Sequence, residues 1–150
     1  MRRFEVVRED CRKTQGIIKL PTRADKGSAG YDFYSAIDFE IKPGETKIVP
    51  TDVKAKMLTN EVLMLFVRSS IGIKKNIVLA NGTGVIDSTY YSNPDNDGNI
   101  CGAFTNIGQT AQEFKKGDRI MQGVFVKYLT TENDQPLNTQ RQGGIGSSGK

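Results

Sequence analysis

The chain alternates between short apolar segments and clusters of turn-forming residues. Eight segments are rich in Val, Ile, Phe and Tyr and have the length of β-strands: residues 4–8, 31–35, 47–49, 53–57, 61–68, 77–80, 100–106 and 120–129. Turn sequences such as Pro43-Gly44 and Asn81-Gly82 separate them, and the Asn-Gly pair predicts a hairpin. Only residues 69–75 are expected to form a short helical turn. The pattern predicts an all-β fold of the sandwich, jelly-roll or barrel class.

The composition changes after residue 129. Residues 130–150 are rich in Gly, Asn, Gln and Ser and contain almost no apolar side chains. Such a segment buries too little apolar surface to offset its own ordering entropy. We therefore predict one β domain at residues 1–129, a size usual for a single domain, and a flexible glycine-rich C-terminal arm at residues 130–150.

The charged residues narrow the chemistry that the chain can perform. There are 21 Lys and Arg against 17 Asp and Glu, which gives a net charge of +4. The basic residues are scattered, so nucleic-acid binding is not favoured, and a polyanionic small molecule fits the charge equally well. The chain has no histidine, so a general base would be a carboxylate, Lys, Tyr or Cys. A metal would be held by oxygen ligands, which suit Mg²⁺.

Signals for export, membrane insertion and disulfide formation are not apparent in the sequence. The longest apolar run, at residues 62–67, is far shorter than the ~20 residues that a membrane span needs. The N-terminal residues are charged and contain no apolar signal-peptide core. Cys11 and Cys101 are isolated in dissimilar segments, so we expect two reduced thiols. These features predict a cytoplasmic protein with no membrane contact.

Five segments carry polar residues that suggest binding or catalysis: AGYDFYSA (29–36), VRSSIG (67–72), NGTGVIDSTY (81–90), GDRIMQ (117–122) and RQGGIGSSG (141–149). Each segment alone has an ordinary structural explanation, such as a strand carboxylate or a serine that caps a helix. In their order and spacing, the five together resemble the five motifs of the trimeric dUTPase family. The resemblance extends over about 120 of the 150 residues.

The resemblance implies a fold, an assembly and a reaction. The fold is a distorted jelly roll, assembled as a homotrimer with three active sites at subunit interfaces. The C-terminal arm would close over a neighbouring subunit's active site. The reaction is the Mg²⁺-dependent hydrolysis of dUTP to dUMP and pyrophosphate, which keeps uracil out of DNA and supplies dUMP for dTMP synthesis.

The resemblance also implies residue roles by position. Asp87 would activate the water that attacks the α-phosphorus, and Asp32 would hold Mg²⁺ through its water shell. Tyr90 would pack under the deoxyribose and exclude a 2′-hydroxyl. The remaining substrate-binding residues would be Asn81, Gly84, Val85 and Ile86 for uracil, Arg68, Ser69, Ser70 and Gln122 for phosphates, and Arg141, Ile145, Gly146, Ser147 and Ser148 in the arm.

Four positions depart from the family pattern. Ile145 stands where the arm usually carries an aromatic residue that stacks on uracil, Ser70 replaces a glycine, and Ser148 replaces a threonine. Residues 91–99, YSNPDNDGN, replace a shorter turn, and this loop is expected to form either the rim of the site or a partner surface. These departures affect the expected affinity more than the expected activity.

Three other functions are compatible with parts of the sequence. A dCTP deaminase would share the fold, but its proton-shuttling glutamate has no counterpart between Glu61 and Glu113. A nucleotide sensor with a regulatory protein partner is a second interpretation, suggested by Ile145 and the 91–99 loop. Nonspecific nucleic-acid binding is the third and predicts strongly salt-dependent affinity for DNA.

Overall fold

The computed structural model describes residues 1–137 and 141–146. Within these residues there are twelve β-strands, one short α-helix and two single-turn 3₁₀ helices. The helix, α1, is Ser69–Lys75. The strands are β1 Arg3–Val6, β2 Thr22–Arg23, β3 Tyr31–Tyr34, β4 Phe39–Ile41, β5 Thr46–Pro50, β6 Val53–Lys56, β7 Glu61–Val67, β8 Ile77–Leu79, β9 Gly84–Asp87, β10 Cys101–Asn106, β11 Gln112–Phe114 and β12 Arg119–Lys127.

The strands form four small antiparallel sheets. The largest has the order β2-β3-β12-β7-β9, and a second has the order β5-β10-β8. Two further pairs are β1-β6 and β4-β11. The all-β prediction is therefore confirmed, with α1 at the predicted place.

The core lies on one face of the five-stranded sheet. Leu63 and Leu65 of β7 point into it and are 0% and 2% exposed, whereas the intervening Met64 and the following Phe66 point to the opposite face. Phe33 of β3, Phe104 of β10 and further apolar residues from the other sheets complete a continuous apolar cluster. We call the opposite face, which carries Met64 and Phe66, the outer face.

The prediction of a hairpin at Asn81-Gly82 is wrong, although the chain does turn there. Gly82 has a φ of +73° and its N–H donates to the Leu79 carbonyl at 2.9 Å. The flanking strands, however, pair with different partners: β8 pairs with β10, and β9 pairs with β7. A Cβ at position 84 would lie 2.9 Å from the Leu65 Cβ, so the glycine allows β9 to pack closely on β7.

Helix α1 ends at Asn76, which adopts the left-handed conformation with a φ of 54°. In the part of the chain that the structure describes, no helix is long and apolar enough to cross a membrane.

Candidate active site

The first site is a cavity of about 470 Å³ beside the edge strand β9. We call it the β9 pocket. Nine residues that the sequence suggested for the site line it: Asn81, Gly84, Val85, Ile86, Asp87, Tyr90, Arg141, Ile145 and Gly146. The 91–99 loop contributes Asp95 and Asn96 to the wall. The arm segment 141–146 thus lies on the β9 pocket of its own chain.

Asp87 ends β9 and points into solvent at the mouth of the β9 pocket. A 3₁₀ turn, Ser88–Tyr90, follows it directly, so the carboxylate is held at a fixed bend of the chain. Its side chain is 45% exposed and forms an ion pair with Arg141 of the arm. Arg141 Nε also approaches Thr89 Oγ1 at 3.4 Å. The carboxylate therefore combines access to water with a nearby guanidinium.

Tyr90 forms part of the wall and is held by two hydrogen bonds. Its hydroxyl donates to the Asn99 carbonyl at 2.7 Å, and Asn96 Nδ2 donates to the same hydroxyl at 2.8 Å. Burial raises the pKa of the Tyr90 phenol above its ordinary value, so the group stays a neutral hydroxyl. Cys101 also lines the β9 pocket, and burial raises the pKa of its thiol to about 11. The thiol is therefore protonated at neutral pH.

The second site is a cavity of about 400 Å³ on the outer face, which we call the β3 pocket. Asp32, Arg68, Ser69 and Gln122 line it. Asp32 of β3 lies opposite Gln122 of β12, which in turn lies opposite Phe66 of β7, so three strands present these side chains in one row.

The Asp32 carboxylate is buried and lies between two guanidinium groups. Arg68 Nε lies 2.9 Å from Asp32 Oδ1, and Arg119 Nη1 lies 3.4 Å from Asp32 Oδ2. Arg68 lines the β3 pocket, and Arg119 approaches the same carboxylate without lining the pocket. The two cations exceed the charge of the single carboxylate, so this part of the outer face suits a polyanion.

A metal ion can be held here only with help from a ligand. Asp32 is the single acidic residue that lines the β3 pocket, and among the described residues no group of three or more His, Cys, Asp or Glu could hold a metal. One carboxylate does fit an ion whose other ligands are phosphate oxygens and water, which is the usual arrangement for Mg²⁺.

Three predicted residues are not placed in either of these pockets. Ser70 is exposed in the first turn of α1 and lines neither of them. Ser147 and Ser148 lie outside the described residues.

Several site residues were not anticipated from the sequence. Arg119 directly follows Asp118 in the sequence, which suggests a local ion pair, but it pairs with Asp32 instead. Ser28 lines the β3 pocket. The 91–99 loop was expected to form either the rim of the site or a partner surface. Two of its residues, Asp95 and Asn96, line the β9 pocket, which agrees with the first of these expectations. The pairing of Arg119 depends on an irregularity in the register between β12 and β3, which no local sequence signal reveals.

The two carboxylates lie on the same face of the sheet but far apart. Asp87 lies opposite Val62 of β7, whereas Asp32 lies in the row of Phe66, four residues further along and three strands away. Four residues along a strand span about 13 Å and three strand spacings span about 14 Å, so Asp87 and Asp32 are about 19 Å apart across the sheet.

Comparison with known proteins identifies the family. The dUTPase family model matches residues 17–149. Deoxyuridine 5′-triphosphate nucleotidohydrolase of Lactococcus lactis is 42% identical over 150 residues, which cover 99% of this chain and 98% of that protein. The Haemophilus influenzae protein of the same name is 39% identical over 138 residues, 87% of each chain.

Solved structures agree with this assignment. The crystal structure of dUTPase from Streptococcus mutans has a TM-score of 0.78 and 41% identity, and covers 87% of this chain and 98% of its own. A mutant dUTPase of Staphylococcus aureus phage phi11, a protein with a structural Mg(II) ion, shares the fold with a TM-score of 0.71 at 22% identity, covering 93% and 98%. The match over most of the chain and the identity to curated enzymes place this chain in the dUTPase family.

Proposed function

We propose that this dUTPase hydrolyses dUTP to dUMP and pyrophosphate at a site that joins the β9 pocket of one chain to the β3 pocket of another. The observation that carries the proposal is the separation of Asp87 from Asp32 by about 19 Å on one sheet face. The base and the metal-holding carboxylate must act on one triphosphate, where the attacked phosphorus and the chelated ion are neighbours. A single chain cannot bring both carboxylates to the same nucleotide.

The outer face between the two carboxylates supports assembly. Val85, Met64 and Val124 lie side by side across β9, β7 and β12 on that face. Val85 is 57% and Phe66 37% exposed in the single chain. An apolar face of this kind is suited to burial against another subunit. Because the dUTPase family assembles as trimers, the face that carries both carboxylates would lie at the subunit interface.

Base recognition would use the free edge of β9. The strand is last in its sheet, so one side of its backbone pairs with no described strand. The N–H and C=O groups of residues 84–86 on that side can pair with the uracil edge, with Asn81 at the entrance of the β9 pocket. The ring of Tyr90, fixed through its hydroxyl, would lie under the deoxyribose and leave no room for a 2′-hydroxyl.

Asp87 would act as the general base. Its carboxylate accepts a proton from a water molecule while the water oxygen forms a bond to the α-phosphorus. The bond from the α-phosphorus to the bridging oxygen breaks, and pyrophosphate leaves with that electron pair. Such a substitution depends mainly on positioning and charge neutralisation, which suits a chain without histidine.

The phosphates would be bound by the two basic groups of the site. Arg68, Ser69 and Gln122 line the β3 pocket, and Arg141 reaches the mouth of the β9 pocket. Arg141 is paired with Asp87, and a triphosphate, with its greater charge, would compete for this guanidinium and release the carboxylate to the water. Ser70, Ser147 and Ser148 remain predictions for the same role.

Mg²⁺ would be chelated by the triphosphate and held by Asp32 through its water shell, where it would neutralise charge on the phosphate oxygens. Arg68 and Arg119 beside Asp32 would then contact the same phosphates.

The test is pyrophosphate release from dUTP with Mg²⁺, compared with dCTP, dTTP and UTP, for wild type, Asp87→Asn and Asp10→Asn. We expect release from dUTP alone, and a fall of about 10²–10⁴-fold in kcat for Asp87→Asn. Asp10 is an exposed carboxylate outside both pockets, so its substitution should leave the rate unchanged. An active Asp87→Asn variant would refute the assigned base, and ammonia release from dCTP would indicate a deaminase.

A regulatory protein partner stays a prediction. It would be supported by a protein that binds the ligand-free trimer and is displaced by dUTP. Nucleic-acid binding is still not favoured, and an affinity for DNA that falls steeply with salt would contradict that view.

A further inference from the structure

The 91–99 loop is an ordered part of the fold. Asn93, Asp97 and Asn99 are 3%, 1% and 2% exposed, although all three are polar. Asn93 Oδ1 accepts the N–H groups of Asp95 and Asn96 at 3.0 and 3.1 Å. These internal hydrogen bonds give the loop a defined shape.

Buried contacts anchor the loop to the β domain. Asp97 Oδ2 accepts hydrogen bonds from Lys54 Nζ and from the Arg8 backbone N–H, both at 2.8 Å. Asn99 Nδ2 donates to Asp52 Oδ1, also at 2.8 Å. The loop is therefore tied to β6 and to the N-terminal segment.

The arm lies directly on this anchored loop. The Asp95 N–H donates to the Gln142 carbonyl at 3.2 Å. A Cβ at Gly143 would lie 3.0 Å from Asp95 Oδ2 and 3.1 Å from Asp95 Cβ. The backbone of the next residue, Gly144, passes the hydroxyl of Tyr90 and Nδ2 of Asn96. The close approach of Gly143 to Asp95 shows that the two surfaces fit tightly, so a methyl group at position 143 would have to displace Asp95 by a few tenths of an ångström.

We infer that residues 91–99 form a docking platform that places the C-terminal arm over the nucleotide, with Asp95 and Asn96 as positioning residues. The inference rests on the proposed function, because it concerns how the arm reaches the nucleotide at the β9 pocket. Asp95 holds the arm backbone, and Asn96 holds the Tyr90 hydroxyl, so one loop aligns the arm with the sugar-binding wall. The platform serves in the same way whichever subunit of the trimer supplies the arm.

Pre-docking has an energetic consequence for this chain in particular. An arm that is already held at residues 142–144 loses less conformational freedom when nucleotide binds, so more of the contact energy appears as affinity. Ile145 has no aromatic ring and therefore cannot supply the stacking energy of the usual aromatic residue. It lies beside the β9 pocket and is 92% exposed. The platform therefore compensates for part of the nucleotide affinity that is lost because residue 145 is not aromatic.

Tryptic cleavage of the trimer, without nucleotide or metal, measures arm docking independently of catalysis. Between Lys127 and Lys150, Arg141 is the only basic residue, so cleavage after it severs the arm. Gly143→Ala adds a methyl group against Asp95, whereas Gly144→Ala adds one at an ordinary contact distance of 3.4 Å from the Tyr90 hydroxyl. Neither glycine has a positive φ, so the two variants are a matched pair.

We expect Gly143→Ala to accelerate cleavage about fivefold or more, because overpacking of this kind weakens a fitted contact. Gly144→Ala should cleave at close to the wild-type rate. Adding Asp95→Gly to Gly143→Ala removes the clashing atoms and should restore slow cleavage. In dUTP hydrolysis, Gly143→Ala should raise KM by a similar factor while kcat changes less.

Equal cleavage rates for the two alanine variants, or no rescue by Asp95→Gly, would overturn the platform. Because the cleavage assay needs no turnover, these outcomes are separate from a failure of dUTP hydrolysis. A wild-type trimer that protects Arg141 yet releases no pyrophosphate would refute the proposed function and leave the platform standing.

Discussion

At the scale of single residues, the proposed base and the arm are already in contact. The ion pair between Asp87 and Arg141 joins a residue of the β9 strand to a residue of the glycine-rich arm. One cation can therefore serve either the carboxylate or a phosphate. In the proposed reaction, this exchange would couple the position of the arm to the availability of the base.

Ile145 offers the clearest single-residue test of the arm. It lines the β9 pocket with its side chain 92% exposed. Ile145→Phe should lower the KM for dUTP about fivefold or more. In proteins that bind single-stranded nucleic acid, stacking of a base on an aromatic ring contributes about 1–3 kcal/mol of binding free energy. Steady-state kinetics would measure the change, with Ile145→Leu as the control for size without aromaticity. An unchanged or raised KM in the phenylalanine variant would count against contact between residue 145 and the base.

Residues of the site could be predicted only where they lie in one of the five motifs, whose order along the chain resembles that of the dUTPase family. Asp87 and Asp32 were predicted as site residues because each lies in a recognisable motif, and each of them lines a pocket. Arg119 was missed because an arginine beside an aspartate looks like a local pair. Its true partner lies 87 positions away, on the adjacent strand.

At the scale of elements, the sequence predicted eight of the twelve described strands but not their pairing. All eight predicted strands are present, with ends that differ by at most two residues. The four that were missed, β2, β4, β9 and β11, have only two to four residues. β8 is equally short but was predicted because all three of its residues are apolar. Each of the four missed strands contains a charged residue, which weakens the apolar signal, and tertiary pairing defines them. The failed hairpin has the same cause, since a turn sequence fixes a reversal but not the partner of each strand.

The anchor of the 91–99 loop predicts sensitivity to acid. Burial alone would raise the pKa of Asp97, but hydrogen bonds from Lys54 and from the Arg8 backbone outweigh it and lower the pKa below its ordinary value. The stabilisation is therefore complete above the unfolded value of about 3.9 and is lost as the pH falls through the lower folded-state pKa.

Asp97→Asn should remove this pH-dependent stabilisation. The variant leaves the Lys54 ammonium, which is only 10% exposed, without its closest carboxylate. Loss of one partner from a buried pair costs about 3–5 kcal/mol. Urea unfolding at pH 7 and pH 3 should show a large loss at pH 7 and a smaller dependence on pH. Asp10→Asn, at an exposed ion pair, is the control, and equal behaviour of the two variants would contradict the assigned role of Asp97.

At the scale of the whole molecule, the resemblance to the dUTPase family predicts a shared site that the structure of a single chain does not contain. The motifs indicated one shared site, whereas one chain shows two separate pockets. Local patterning contains no information about which chain completes which pocket, because that depends on how apolar faces meet between subunits.

Mixed trimers can test the shared site directly. We expect Asp87→Asn and Asp32→Asn to be inactive when each is expressed alone. Their co-expression should restore activity if each site takes the two carboxylates from different subunits. With equal amounts and random assembly in a symmetric trimer, about a quarter of all sites would be intact, and about a third of the sites in trimers that contain both chains. Trimers purified through one tag on each chain would be assayed for pyrophosphate release. Activity no higher than that of either parent would show that both carboxylates act from one chain.

The wide spacing of Asp87 and Asp32 has a consequence for how activity responds to gene expression. If the site is complete only in the assembled trimer, scarce protein yields few assembled sites, and output rises more steeply than the amount of chain. Abundance and catalysis are then linked through association, so a small change in synthesis near the association threshold becomes a large change in dUTP clearance. Above the threshold the response becomes proportional, and the enzyme then works as a constant background activity.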